Sequence, residues 1–161
     1  MKLVFWVGFW TFLIDQITKY IVVHAMSLRT LGALEVWPPF LNLRMAWNYG
    51  VNFGLLANDS DAVRWILVAV ALAISVAVLW WVSSEPGGKW QSVAAGLLVG
   101  GALGNVIDRL LYGAVADFLN LSCCGIDNPY AFNVADIAVF AGAVGMVIFS
   151  PSRKPPVKKP S

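Results

Sequence analysis

"GLLVGGALGNVIDRLLYGAVADFLN", residues 96–120, opens on glycine and aliphatic residues and then places Asn105, Asp108 and Arg109 at one end, with Asp117 six residues past Leu111. Gly96, Gly100 and Gly104 recur at four-residue spacing and Gly101 widens the same smooth face, so the segment predicts a helix that another helix can approach closely. This ridge is read as packing, with no chemical role. The apolar run, about 91–112, is long enough to cross a ~30 Å hydrocarbon core. The carboxylate just beyond its end needs a physical reason.

The whole chain agrees with a membrane protein. Of its 161 residues 59% are hydrophobic, 12% are charged and eight are tryptophan, too apolar a balance for a soluble domain with a polar shell. Three further windows qualify as spans, about 3–26, 62–83 and 132–150. The first contains Asp15 and Lys19, is longer than a signal-peptide core and lacks a small-residue cleavage site, so it is expected to be retained. Residues 1–150 then form a single membrane-embedded domain. The basic, Pro-rich 151–161 is expected to be a disordered cytoplasmic tail near anionic headgroups. A net charge of +2 is too small for a nucleic-acid surface, and no nucleic-acid partner is expected.

Four spans put both termini on one side. That side carries Lys2, Lys89, Arg153, Lys154, Lys158 and Lys159, against Arg29 and Arg44 in the opposite loops, so both termini are expected in the cytoplasm. Loops 27–61 and 113–131 then face outward. In the first of these, "LNLRMAWNYGVNF" (41–53) alternates apolar odd with polar or small even positions, which predicts a β segment over about 40–56 bending at Asn48-Tyr49-Gly50.

Ionisable groups inside a span are expensive and need an account. At 1.5 Å per residue from the cytoplasmic ends, Asp15 lies ~18 Å up, Lys19 ~24 Å, Asn105 ~21 Å, Arg109 ~27 Å and Asp136 ~21 Å. Three helices thus raise polar groups to one outer layer. Asp15 with Lys19 and Asn105 with Arg109 are i,i+4 pairs, and Asn133 with Asp136 an i,i+3 pair, so each pair shares a helix face. Asp117 could fold back over this layer, and Asn48 could reach it from above. Asp15 with Lys19 is equally readable as an ion pair that neutralises itself, and Asp108 with Arg109 as a mark of the outer interface.

Two carboxylates brought together cannot both ionise cheaply, and a pair sharing a proton is what an aspartyl hydrolase uses. The spacing of Asp117 and Asp136 leaves that dyad open beside a proton or cation relay of a small transporter, and beside a structural assembly factor. Other hydrolytic chemistries fit worse. His24 is the sole histidine, and G-x-S-x-G, HExxH and any His/Cys cluster are missing, so neither metal nor cofactor is expected. Cys123 and Cys124 are adjacent in the second outer loop and carry no catalytic assignment.

Four blocks in order, "DQITK" (15–19), "NLRMAWNYGVNFGLL" (42–56), "GGALGNVIDRLLYGAVADF" (100–118) and "FNVADIAVF" (132–140), resemble the lipoprotein signal peptidase, or signal peptidase II, family. The resemblance implies an all-α polytopic membrane protein of four transmembrane helices with a small periplasmic β-cradle and a short periplasmic helix, the latter expected within 113–131. It implies an aspartyl endopeptidase of the bacterial inner membrane, its site facing the periplasm, that cuts prolipoproteins before a diacylglyceryl-modified cysteine. Asp117 and Asp136 match the catalytic pair. Asn48, Asn105, Arg109 and Asn133 match polar residues lining the site, and Asp15 and Lys19 the first-helix pair. The implied partners are the lipid-modified prolipoprotein and membrane lipids, with the enzyme expected as a monomer. Trp47, Tyr49, Val51 and Asn52 depart from the family's Tyr-Asn-Thr-Gly-Ala-Ala-Phe, placing bulkier groups at the cradle bend.

Overall fold

The computed structural model describes residues 1–50, 60–85, 87–123 and 128–150. Helix α1 spans Lys2–Lys19 and runs on into a π-helical segment, Tyr20–Ala25. After a single helical turn, α2 (Leu28–Leu31), come strands β1 (Ala33–Trp37) and β2 (Leu41–Asn48). The long helices α3 (Ser60–Ser84) and α4 (Lys89–Tyr112) follow, then strand β3 (Val115–Leu121) and helix α5 (Val134–Phe149).

Helix α4 is the axis of the molecule, packed against α1, α3 and α5. Its glycines explain how. A Cβ at Gly96 would meet Val7 and Val4, one at Gly100 would meet the backbone of Gly8, and one at Gly104 would fall 2.5 Å from Asp15 Oδ2. The ridge read from the sequence is therefore the α1 contact, brought to backbone distance where dispersion is strongest. Gly101 faces the other way, where a Cβ would stand 2.5 Å from Ala135 O. Val4, Val78, Val82, Ala94, Ala95, Leu98, Val99 and Met146 close the apolar core between the helices.

The outward faces are equally apolar. Phe5, Trp6 and Trp10 of α1, Ile66, Val76 and Trp80 of α3, and Phe140, Val147 and Ile148 of α5 are all exposed, a surface suited to lipid rather than water. Asp61–Ser84 and Lys89–Tyr112 are each long and apolar enough to cross a membrane, and Val134–Phe149 is apolar but shorter.

The three strands form one antiparallel sheet in the order β1-β2-β3. Strand β2 occupies the first part of the predicted 40–56 segment; residues 51–56 lie outside the described residues. Its inward positions Leu43 and Met45 pack with Val22, Leu28, Phe118 and Leu119, as the period-two pattern requires. Two strands were not expected. Residues 115–121 form β3 within the 113–131 segment where a short helix was expected, of which 124–127 lie outside the described residues, and the short helix among the described residues is α2, just before β1. The physical reason lies at Gly113, whose left-handed φ of 79° ends α4 and turns the chain so that β3 pairs along β2, Ala46 opposite Asp117.

Candidate active site

The C-terminal ends of α1 and α4 and the N-terminal end of α5 meet the C-terminal half of β2 and the start of β3, and the polar residues singled out from the sequence converge there. Asn133 is the hub. As the N-cap of α5 it forms a reciprocal capping box with Asp136: Asp136 N donates to Asn133 Oδ1 at 2.9 Å, and Asn133 N donates to Asp136 Oδ2 at 3.2 Å. The same side chain donates from Nδ2 to Asp117 Oδ1 at 2.7 Å. One fully buried residue thus holds both aspartates, one through the helix cap and one through its side-chain NH2, which also reaches Asn105 Oδ1 and Ala116 O.

Each aspartate has a second amide. Asn48 Nδ2 donates to Asp117 Oδ2 at 3.1 Å from the end of β2, and Asn105 Nδ2 donates to Asp136 Oδ1 at 2.8 Å from α4. Asp117 is 3% exposed. Burial, reinforced by the charge of Asp136, pushes its carboxyl up to about 7, against the opposing pull of the Asn48 and Asn133 hydrogen bonds and of Lys19. Close to neutrality Asp117 therefore holds a proton for a large fraction of the time. Asp136, half-buried, accepts from Asn105 Nδ2 on one oxygen and from Asn133 N on the other.

Arg109 does not form an ion pair with either aspartate among the described residues. Of the two roles open to a guanidinium here it takes the carbonyl one, with Nη1 donating to Asn105 O at 3.2 Å, while its buried Nε has no partner among the described residues. It stands within electrostatic reach of Asp136, Asp117 and Asp108.

Asp15 and Lys19 are more than a self-neutralising pair. Lys19 Nζ lies 2.8 Å from Asp15 Oδ2 and 2.8 Å from Asp108 Oδ2, and it donates to Asn105 Oδ1 at 3.3 Å. Two residues of this network escaped the sequence reading. Asp108, read as an interface mark, is 1% exposed, and Gln16 donates to both Asp15 Oδ2 and Asp108 Oδ1. The signal was present in the spacing: Asp108 is i+4 from Gly104 and i+3 from Asn105, on the face where α1 comes closest. Among the described residues no group of three His, Cys, Asp or Glu could hold a metal ion. Cys123 is exposed at the sheet's far end, and Cys124 lies outside the described residues.

A buried carboxyl raised toward neutrality beside a second carboxyl, with amides fixing both, is equipped to activate a water molecule and polarise a carbonyl. Comparison with known proteins points to the same chemistry. The pattern of the family described as signal peptidase (SPase) II matches residues 7–151. The chain is 41% identical over 144 residues to the lipoprotein signal peptidase of Alteromonas mediterranea, covering 89% of this chain and 77% of that protein. It is 45% identical over 123 residues to the lipoprotein signal peptidase of Methylorubrum extorquens, covering 76% and 70%. A bacterial membrane enzyme solved by the in meso method at 1.9 Å superposes with a TM-score of 0.78 at 31% identity, covering 92% of both chains.

Proposed function

The chain belongs to the signal peptidase II family, and on that premise we propose that Asp117 and Asp136 are its catalytic dyad. The activity is that of a hydrolase removing signal peptides from prolipoproteins. The observation that carries the dyad is the Asn133 amide, which holds Asp117 through its side chain and Asp136 through the helix cap.

In the reaction, Asp136 takes a proton from the water that attacks the scissile carbonyl carbon, while protonated Asp117 donates to the carbonyl oxygen. The tetrahedral intermediate collapses as the Asp136 proton passes to the leaving nitrogen, the C–N bond breaks, and Asp117 recovers its proton. Asn105 and Asn133 keep the carboxyl groups oriented, Asn48 limits the rise of Asp117, and Arg109 Nε, without a partner among the described residues, is the group available to a substrate backbone carbonyl. Asp15 and Lys19 support the dyad from behind.

The apolar outer faces support a chain of four spans, residues 1–150 forming one embedded domain with both termini cytoplasmic and the site at the periplasmic surface of the inner membrane. A diacylglyceryl group on the substrate cysteine would stay in the bilayer and bring the bond before that cysteine to the depth of the dyad. The enzyme acts as a monomer in this reading.

Asp117→Asn and Asp136→Asn are each expected to reduce cleavage of a lipidated prolipoprotein in detergent by about 10³-fold or more. Both variants should accumulate in the membrane at the level of the unmodified enzyme. Retained cleavage by either would overturn the dyad.

A further inference from the structure

We propose that Asp108, acting through Lys19 and Asp15, is a positioning residue that sets the separation of the two catalytic aspartates. The proposal rests on the dyad reading above. It starts from an imbalance. One ammonium, that of Lys19, serves two buried carboxyl groups at 2.8 Å each, one more than it can neutralise. A pair that only neutralised its own insertion would need one carboxylate. The surplus is offset by N–H donors: Gln16 Nε2 reaches both carboxylates, and each carboxylate also accepts from one backbone amide.

Those two backbone amides are the informative ones. Asp15 Oδ1 accepts from Ala135 N at 2.9 Å, and Asp108 Oδ2 accepts from Ala116 N at 3.2 Å. Ala135 immediately precedes Asp136, and Ala116 immediately precedes Asp117. The contacts therefore run Ala116, Asp108, Lys19, Asp15, Ala135, a polar yoke from the backbone beside one aspartate to the backbone beside the other. Strand β3 and helix α5 are joined by a loop and are held to each other near the dyad by the Asn133 side chain and the Leu119–Phe132 bridge. The yoke supplies a second tie between them, seated on α1 and α4. Gly104 makes room for it, because a Cβ there would collide with Asp15 Oδ2.

Among the described residues the charged groups that act on Asp117 are Asp136 on α5, Lys19 on α1 and Arg109 on α4, while Asp108 holds the backbone amide of the preceding residue. Asp108→Asn keeps the shape of the side chain and removes its charge. Lys19 is then less neutralised and the two aspartates are less firmly spaced, and both changes favour ionised Asp117. In the full-length detergent-solubilised enzyme, with rates normalised to folded protein, kcat should fall between about tenfold and a hundredfold with KM within about twofold. The alkaline limb of the pH–rate profile should move to lower pH. Lys19→Arg, which keeps the cluster's charge balance while altering its geometry, should lower kcat in the same way with a smaller limb shift, and it decides the matter if Asp108→Asn does not accumulate. Folded variants with the unmodified enzyme's kcat and limb would reduce the yoke to a stabilising ion pair and overturn the proposal. Asp117→Asn and Asp136→Asn are measured beside them: cleavage by those would sink the dyad itself, whereas their silence beside a fully active Asp108→Asn would sink only the yoke.

Discussion

The two halves of the helix bundle are held together by opposite means. In the half around Gly8, Gly96, Gly100, Gly142 and Gly145, helices meet backbone to backbone and side chain to backbone, without a charge between them. In the half around Asp15, Lys19, Asp108 and Asn133, the same helices meet through specific atom pairs, each donor with its acceptor. The first kind of contact is many small dispersion terms, none of which specifies a position alone. The second is few and directional, so losing one partner leaves another buried without compensation. Catalysis needs the second kind, and the apolar half provides a frame rigid enough to hold it.

The sharpest way to probe the polar half without altering a residue is to change pH. Because burial and Asp136 raise Asp117 to about 7, the proton it donates in the proposed reaction is lost as pH rises through that value. Cleavage should then decline about tenfold per pH unit on the alkaline side, a limb that a pH–rate profile of kcat locates directly. Stability follows the same group with a definite sign. An aspartate whose folded pKa exceeds its unfolded value favours the native state least once it must ionise, so stability should fall as pH rises from about 4 to about 7 and flatten above it. Asp117→Asn should lose that dependence, visible in thermal unfolding at pH 5 and pH 8.

The apolar half should respond differently. Gly100→Val places side-chain atoms where the Gly8 backbone already sits, and overpacking of that kind is expected to destabilise by about 1–3 kcal/mol. Thermal unfolding in detergent would register it. The folded fraction should nevertheless cleave with nearly unchanged kcat and an unmoved alkaline limb, because no contact of Gly100 belongs to the dyad. A displaced limb would mean that the two halves are mechanically coupled.

The same contrast explains what the sequence made legible. Apolar windows bound the helices well, since the length needed to cross a bilayer is a property of each segment alone. Asp136, Asn133 and Asn105 could be placed together because polar residues in such segments need a reason and i,i+3 or i,i+4 spacing assigns a shared face, whereas Asp117, past the end of its span, was left open by spacing and named by the resemblance. Strand β3 was not, because "VADFLNL" becomes a strand only by pairing with β2, far away in the chain. Strand β1 follows from the same ladder. Asp108 was half legible: its spacing from Gly104 and Asn105 gives the face it occupies, but its partner Lys19 lies on another helix, and spacing within α4 does not name that partner.

The smallest effect expected lies at Asn48, where sheet and dyad touch. Its Nδ2 donates to Asp117 Oδ2 while its Oδ1 accepts from Gly50 N at 3.0 Å, so the end of β2 is folded onto itself as it reaches the site. Asn48→Ala removes a hydrogen bond that favours ionised Asp117, leaving burial and Asp136 less opposed. The alkaline limb should therefore move to higher pH, opposite to the shift expected for Asp108→Asn, with kcat at pH 6 reduced only a few-fold because Asn133 still holds the carboxyl. Paired pH–rate profiles of the two variants separate the contributions. A shift in the same direction for both would mean that Asn48 acts by placing the strand rather than by hydrogen bonding to Asp117.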